Sequence, residues 1–558
     1  MNIPQQWTYK PTDEAKVEKL YKSLKINKTL CKLLVQRGIE TFDEAKTYFR
    51  PSLEQLHAPF LMKDMDKAVN RIITAIKNKQ KILFYGDYDV DGTTSVALCM
   101  LFFKQFYENI DFYVPDRNKE GYGISIKGID FATKNNFSLM VALDCGIKAI
   151  EKVNYANEKG LNIIICDHHT PADELPKACA ILNPKQKECI YPYKELSGCG
   201  IGFKLCQAYA QKHFIKDELL YQFLDLVCIS IASDIVPITD ENRILAHFGL
   251  KQLNTKPSVG LKNMVELLDL KKDFTINDVV FKIGPRINAA GRMAHAKMAV
   301  DVLMGKEIVK ELQDNNQKRQ ALDRDITEEA IALLANENEN RVSNVVYQES
   351  WHKGVIGIVA SRITETYYKP TVVLCHSNGR LTGSVRSVEG FNVYEPLEAC
   401  SHLFTNFGGH AFAAGVTLEI ENFETFKQQF DDEVRQRILP EQLIPKMEID
   451  STITLYEINK SFYNILKQFA PFGPYNMRPV FVAKNLTDTG QSKIVGENHL
   501  KTLLADKEGN TLNGIAFNMA DKLPLLKEKV DVCFALEENE WNGTTTLQMH
   551  IKDIRESE

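Results

Sequence analysis

A surplus of positive charge is missing from this 558-residue chain: 68 Lys and Arg stand against 73 Asp and Glu, a net charge of −5. Bulk charge does not draw it to nucleic acid, so any polyanion site has to be a local basic cleft. No CxxC pair occurs among its 12 cysteines, which argues against a structural zinc site. Cys99, Cys145, Cys166 and Cys228 stand inside apolar runs, where a thiol acts as a small hydrophobe. No disulfide frame is expected, and a reducing cytoplasmic setting is. Long apolar runs are also lacking. The strongest, Leu226 to Ala232, is too short to cross a bilayer and is closed by Asp225 and Asp234. Residues Met1 to Trp7 lack a basic region followed by an apolar core, so no secretory signal is expected. Low-complexity stretches are absent, the composition is globular, and the length calls for several domains.

What is present is a repeating pattern. Residues 1–60 carry apolar positions at helical spacing (Val17, Leu20, Leu24) and read as a helical lead-in. Across 61–250, the apolar runs Ile82–Tyr85, Phe112–Val114, Leu139–Leu143 and Ile163–Cys166 alternate with helical segments such as Thr93–Phe106 and Ile147–Lys159. Runs this continuously apolar fit strands buried on both faces of a parallel sheet. The alternation predicts a doubly wound α/β domain. Residues 251–339 read as a helical connector, ending in one long polar-rich helix from Glu307 to Asn336 of the kind that bridges domains. A second α/β block follows at 340–445. The last block, 446–558, alternates at period two, as in Val530-Asp531-Val532-Cys533-Phe534, with turn signals at Glu508-Gly509-Asn510 and Asn542-Gly543. It predicts a small antiparallel barrel of the OB type.

Acids stand where such a sheet binds its ligands. Asp87, Asp144 and Asp167 each follow directly on an expected strand, and open α/β sheets bind ligands outside the carboxyl ends of their strands. Acids distant in sequence should converge on one crevice. In the segment Gly86 to Gly92, the glycines allow a tight loop, and Asp89 and Asp91 can face one pocket. Thr93-Thr94-Ser95 would open a helix whose N-terminus favours negative charge. The same DxDxDG string also opens calcium loops, although no Glu stands near Cys99 to fill the twelfth position. Asp144 alone reads first as a helix cap.

Asp167-His168-His169 has no packing rationale. One imidazole can ligate a metal while its neighbour faces the substrate. Asp234 ends an apolar run and needs a partner that a cation would supply. Oxygen-rich ligands with one or two histidines suit manganese or magnesium better than zinc or copper. A two-metal hydrolytic centre acting on phosphate is the leading chemistry. Gly408-Gly409-His410 offers close backbone approach and a polar tip suited to phosphate, or simply a tight turn.

Four segments, GDYDVDGTTS, LDCGI, CDHHT and ASDIVPITDENR, resemble the four motifs of the DHH phosphoesterase superfamily. Gly354–Ala360, Gly383-Ser384-Val385-Arg386-Ser387 and Gly408–Gly415 resemble its companion DHHA1 domain. Pro471-Phe472-Gly473-Pro474-Tyr475-Asn476 resembles the opening of the OB domain carried by the superfamily's single-strand-specific 5′→3′ DNA exonucleases. The order of parts matches that branch over nearly the whole chain: a DHH parallel-sheet domain, a long connecting helix, a DHHA1 α/β domain and an OB-like β-barrel. One departure is visible, since the Gly-Asn-Pro usual after PFG-x reads Tyr475-Asn476-Met477 here.

The resemblance implies metal ligation by Asp89, Asp91, Asp144, His168 and Asp234, with Asp87 joining them or acting from behind. It places Asp144, Asp167 and His169 in the catalytic group, His169 stabilising charge on the phosphoryl group. It implies substrate contacts at Arg117, Arg286, Ser384, Arg386, Gly409 and His410. An arginine can read a 5′-phosphate by bidentate contact, and Arg386 reads as part of a glycine-serine turn whose N–H groups can also face an anion.

The implied reaction is hydrolysis of single-stranded DNA from its 5′ end to 5′-mononucleotides, serving DNA repair and recombination. Two Mn²⁺ or Mg²⁺ ions, roughly 3.5–4 Å apart, would share Asp144. A narrow passage between the two α/β lobes would exclude duplex. The barrel would supply a groove where Tyr475, Phe472 or Trp541 stack bases at about 1–3 kcal/mol each. Expected partners are single-stranded DNA with a 5′ end, then a single-strand-binding protein and a helicase; a monomer without membrane association is expected. Two rivals remain. One is a small-substrate phosphohydrolase of the same superfamily, which usually lacks the barrel. The other is a degenerate scaffold, disfavoured because no acid or histidine of the set is missing.

Overall fold

The computed structural model describes residues 4–117, 119–306, 309–336, 340–541 and 543–557. Met1–Ile3, Glu307 of the expected long helix and Asn542 of the expected turn lie outside the described residues, as does the side chain of Trp541. The chain divides into two compact units. The smaller comprises Met1–Trp7, Ala289–His295 and Lys310–Met447, and the larger Thr8–Asn288, Ala296–Val309 and Glu448–Glu558.

In the larger unit, strands β1 (Lys81–Gly86), β2 (Ile110–Tyr113), β3 (Phe137–Leu143), β4 (Asn162–Cys166) and β5 (Ala180–Leu182) form an all-parallel sheet in the order β2-β1-β3-β4-β5. Alternate residues Leu83, Tyr85, Met140, Ala142, Ile163 and Ile165 share a core with Ile129 and Val153 of two covering helices. Against the other face lie α1 (Val90–Phe103) and α2 (Gly198–Lys212), with Phe84 stacked on Phe103 at 5.4 Å. Burial on both faces is why these strands read as unbroken apolar runs. The chain passes from β1 to β2 on one side and returns to β3 on the other. The acids after β1 and β3 therefore flank the switch point, where open α/β sheets bind ligands. Two further helices, α3 (Leu224–Ser233) and α4 (Asp240–Thr255), pack on this layer.

The smaller unit contains the long helix α5 (Val309–Ala335) from Lys310 onward, and α6 (Ile356–Tyr367). Its sheet joins β6 (Asn344–Gln348), β7 (Thr371–Ser377), β8 (Arg380–Arg386), β9 (Phe404–His410) and β10 (Ala413–Leu418) in the order β9-β10-β8-β7-β6. Only β6 and β7 run parallel. Helix α5 buries polar as well as apolar positions: Asp323 is 1% exposed and accepts from Arg362 of α6 at 2.8 Å.

The C-terminal block closes a five-stranded barrel. Strands β11 (Phe481–Asp488), β12 (His499–Ala505), β13 (Thr511–Ala516), β14 (Val530–Trp541) and β15 (Thr544–Glu556) run β11-β12-β13-β15-β14 and back to β11. The one parallel pairing in that ring, β13 with β15, gives the strand order of an OB-fold. The helices Glu14–Leu24 and Lys28–Val35 do not stand apart from it. Val17, Leu20, Leu30 and Leu34 share one core with Phe462, Phe469, Phe481 and Ile551. Among the described residues, no helix is long and apolar enough to cross a membrane. No cysteine among the described residues forms a disulfide bond.

Candidate metal centre

The acidic loop after β1 owes its shape to two glycines. A Cβ on Gly86 would stand 2.4 Å from Val96 Cγ2, and one on Gly92 would stand 2.4 Å from the Asp87 carbonyl oxygen. The backbone folds back on itself at a separation only glycine permits. Helix α1 begins at Val90, earlier than the sequence suggested, so Asp89 is its N-cap and accepts from Gly92 N at 2.9 Å. Asp144 leaves β3 at φ 60, a left-handed position an aspartate tolerates. Asp167 follows β4, and Asp234 caps the C-terminus of α3.

These side chains meet. His168 Nε2 lies 3.3 Å from Asp144 Oδ1, 3.5 Å from Asp234 Oδ2 and 3.8 Å from Asp91 Oδ2. None of these approaches is aligned as a hydrogen bond: His168 Nε2, Asp144 Oδ1 and Asp87 Oδ2 are all buried without a hydrogen-bonding partner. Among the described residues, two donor groups have ligand atoms mutually within 4.8 Å, one of Asp144, His168 and His169, the other of Asp91, His168 and Asp234. His168 occurs in both, but an imidazole nitrogen has one lone pair. A carboxylate with two oxygens, such as Asp144, is the group able to bridge two ions.

Electrostatics agree with that reading. Burial, then the charge of Asp89, pushes the Asp87 carboxyl up to about 8. Burial, then Asp91 and Asp89, does the same to Asp234, also to about 8. Asp89 and Asp144 are raised as well, by burial first and neighbouring acids second. Acids crowded out of water repel one another, and divalent cations offset that repulsion. Burial lowers the pKa of His168, keeping its imidazole neutral and able to ligate. The donor set fits hard divalent cations.

Asp91 is held more firmly than its sequence context suggests. Its Oδ2 accepts from Gly198 N at 2.7 Å, and its Oδ1 from Cys199 N at 2.7 Å, both at the first turn of α2. The Ser230 hydroxyl of α3 lies 2.7 Å from Asp91 Oδ1 and 2.6 Å from Ser197 Oγ. With one proton, Ser230 donates to the carboxylate and accepts from Ser197. Ser230→Ala should weaken Mn²⁺ binding by about 10–100-fold, the usual cost of losing a group that orients a ligand. Titration calorimetry with the metal alone checks this, and an unchanged affinity would remove Ser230 from the site.

Asp167 does not join the donor groups. Its Oδ1 lies 2.7 Å from His169 Nδ1 and its Oδ2 accepts from Ile147 N at 2.9 Å. Burial works to raise the Asp167 pKa, but His169 and the N–H donors lower it overall. For His169, burial works to lower the pKa, and the hydrogen bond and charge of Asp167 raise it overall. Asp167 thus orients His169. Tyr122, which the sequence did not single out, puts its hydroxyl 3.2 Å from His169 Nε2 and 3.3 Å from the Asp144 carbonyl oxygen. Its ring meets Tyr88 edge-on at 6.4 Å, and Arg117 lies over Tyr88 at 4.8 Å. Arg117, Tyr88, Tyr122 and His169 make a continuous ladder at the metal centre.

Arg286 lies on the helix Gly284–Met293 and donates Nη1 to the Lys282 carbonyl at 2.5 Å. A Cβ on Gly284 would stand 2.8 Å from Ser233 Oγ, so this helix starts beside the residue preceding Asp234. The remaining anion-site candidates form their own group in the smaller unit. Ser384 and Arg386 sit in strand β8 and not in the turn expected from the sequence. Arg386 donates to Ser384 Oγ at 2.9 Å and Ser361 Oγ at 3.2 Å, and burial lowers its pKa. Gly409 and His410 also lie in a strand, paired with Ala414 and Ala413 of β10. A Cβ on Gly409 would stand 2.4 Å from the Ala413 carbonyl oxygen. Of the stacking candidates, Tyr475 is 78% exposed, while Phe472 is packed against the barrel core.

Comparison with known proteins gives a consistent result. The DHH family N-terminal domain matches residues 81–231, the DHHA1 domain 338–436 and the RecJ OB domain 449–553. The single-stranded-DNA-specific exonuclease RecJ of Bacillus subtilis is 34% identical over 569 residues, spanning 99% of this chain and 71% of the relative. That of Escherichia coli is 32% identical over 560 residues, spanning 94% and 95%. Among solved structures, Thermus thermophilus RecJ in complex with Mn²⁺ superposes with a TM-score of 0.84 at 24% identity, covering 99% of this chain and 80% of that one, a likeness of fold. An exonuclease RecJ bound to manganese gives a TM-score of 0.61 at 27% identity, covering 70% of this chain and 98% of that one.

Proposed function

The chain belongs to the RecJ family of single-stranded-DNA-specific exonucleases, and from that premise we propose that it degrades single-stranded DNA from the 5′ end to 5′-mononucleotides by two-metal hydrolysis, in DNA repair and recombination. It is a metal-dependent nuclease. The observation that supports this reading best is a pair of partnerless buried donor atoms, Asp144 Oδ1 and His168 Nε2, standing 3.3 Å apart at the switch point of a parallel sheet.

Asp89, Asp91, Asp144, His168 and Asp234 would hold two Mn²⁺ or Mg²⁺ ions, with Asp87 behind them and Asp144 serving both. When bound, such ions supply Lewis acidity at a phosphoryl group. The chain's own residues do the rest. Asp167 accepts from His169 Nδ1–H, which leaves His169 Nε2 as the face toward substrate. The raised pKa of His169 lets it donate to a phosphoryl oxygen as negative charge builds. The N-terminus of α2 and Ser230 hold Asp91 in one pose while substrate comes and goes. Arg117, Arg286, Ser384, Arg386, Gly409 and His410 are assigned to the phosphates of the strand, with Arg117 reading the 5′ end. Single-stranded DNA is the substrate; a single-strand-binding protein and a helicase would feed it, and the protein would act as a monomer.

End-labelled single-stranded and duplex DNA, with and without a 5′-phosphate, tests the reading. Purified full-length protein with Mn²⁺ should shorten the single strand from its 5′ end and leave blunt duplex intact. Equal digestion of duplex, or shortening from the 3′ end, would reject it.

A further inference from the structure

Two exposed residues of the larger unit hold left-handed backbone that their side chains disfavour, and their loops are bonded together. Ile235, the residue after Asp234, has φ 59 and is 64% exposed. A β-branched residue at positive φ is a conformational outlier, and such strain gathers at functional sites. Tyr475 has φ 61 and is 78% exposed. Among the described residues, its side chain has no hydrogen-bonding or ring partner.

The turn that presents Tyr475 is clamped on both sides. Asn476 Nδ2 donates to the Phe469 and Pro471 carbonyls, each at 2.8 Å. Asn476 Oδ1 accepts from Arg37 Nε at 2.7 Å and from the Tyr48 hydroxyl at 2.9 Å. Gly473 and Asn476 exchange backbone hydrogen bonds, and Ile238 N donates to the Pro474 carbonyl at 2.8 Å. Ile238 is four residues from Asp234, about 13 Å of chain at full extension. A rigid turn therefore holds a bare aromatic ring on a segment bonded to the loop that carries a candidate metal ligand; the 58%-exposed Met477 lies two residues beyond Tyr475, and Ile235 directly follows Asp234.

We propose that Tyr475 is a stacking step for a nucleobase of the strand being hydrolysed. The proposal rests on the single-strand exonuclease reading and adds to it how single-strandedness is sensed. A base stacks on an aromatic ring without regard to its identity, but only once it has left its neighbours, which a base in duplex has not done. The hydrogen bonds of Asn476 hold the backbone that presents the ring, so little backbone entropy is lost on binding.

The test uses the full-length protein in EDTA, so that binding is read without cleavage. Its probes are 5′-phosphorylated thymidine oligonucleotides carrying one abasic site, moved stepwise from the 5′ end. Wild type should lose about 10-fold in affinity when one particular position is abasic. Tyr475→Gly should lose about 10-fold on the intact strand and be indifferent to an abasic site at that same position, while Tyr475→Phe should bind as wild type. Glycine is at ease at φ 61, so an unfolding midpoint at or above wild type separates loss of the ring from loss of fold. If Tyr475→Gly binds the intact strand as wild type does, or if its loss and the abasic loss simply add, the stacking step is overturned. Those results leave the exonuclease reading in place, provided wild type still degrades single strands; failure of wild type to do so rejects both.

Discussion

Asp144→Asn should lower the rate of single-strand degradation by at least about 10³-fold, with the fold retained. The change keeps the shape of a side chain that is 1% exposed and removes its charge. Asp144 Oδ1 is buried without a partner, and the residue stands between His168 on one side and Asp89, Asp91, Asp234 and Asp167 on the others. As the group suited to serve two ions, it would take both with it when its charge goes. Lewis-acid assistance is worth several kcal/mol, and each 1.36 kcal/mol is tenfold in rate. Removing a crowded negative charge should not destabilise the protein without metal, because burial and four neighbouring acids already push this carboxyl toward its neutral form. Steady-state degradation of labelled single strand, beside an unfolding curve taken in EDTA, measures both halves. Activity within tenfold of wild type would show that Asp144 is no ligand.

The reason Asp144 was legible in the sequence and Ser230 was not is physical. Asp87, Asp144 and Asp167 announce themselves because a parallel sheet puts the ends of its apolar runs on one edge, whatever the intervening residues do. The grip on Asp91 comes from Gly198, Cys199 and Ser230, which are 107, 108 and 139 residues away. No local pattern encodes such a contact. The signal that did exist was the glycine-rich start of α2 behind a Ser197 cap, a helix N-terminus open to an anion. Arg386 and Gly409 read as turn residues because serine and glycine are the local markers of turns. In the fold they are strand residues, since Arg386 is paired with β10 on one side and β7 on the other, and Gly409, on the edge strand, is paired with β10. Likewise, the helices within residues 1–60 are amphipathic in sequence, but nothing in that sequence says that the opposite face of their core is a barrel more than 400 residues later. Thr29 and Glu457, 428 positions apart, hydrogen-bond across it.

Glu241→Ala should destabilise the larger unit by about 3–5 kcal/mol. Glu241 and Lys204 are both 0% exposed and stand 2.6 Å apart. The same carboxylate accepts from the Tyr191 hydroxyl and, at 2.8 Å, from His57 N. Lys204 also donates to the His57 carbonyl at 2.9 Å and to Gln207 Oε1 at 3.1 Å. Burial lowers the lysine's pKa, and Glu241 is what counters that. Truncating Glu241 leaves a buried ammonium without its counter-charge, and a phenol and a backbone N–H without their acceptor, a cost far beyond that of an exposed ion pair. The network ties the segment before β1 to α2, whose first turn grips Asp91, so activity should fall along with stability. Urea unfolding followed by fluorescence reads the loss. Lys204→Met added to Glu241→Ala should recover most of it, because the unpaired charge is then gone. A single substitution costing under about 1 kcal/mol would mean that water reaches this network.

The central claim is that acids from three separate loops and an imidazole from a fourth form a shared cage for a pair of divalent cations. Titration calorimetry of the full-length protein with Mn²⁺, in the absence of DNA, tests it most directly. The account predicts two ions per chain for wild type and loss of both in Asp144→Asn. No binding by wild type, or the same stoichiometry and affinity in the variant, would contradict it.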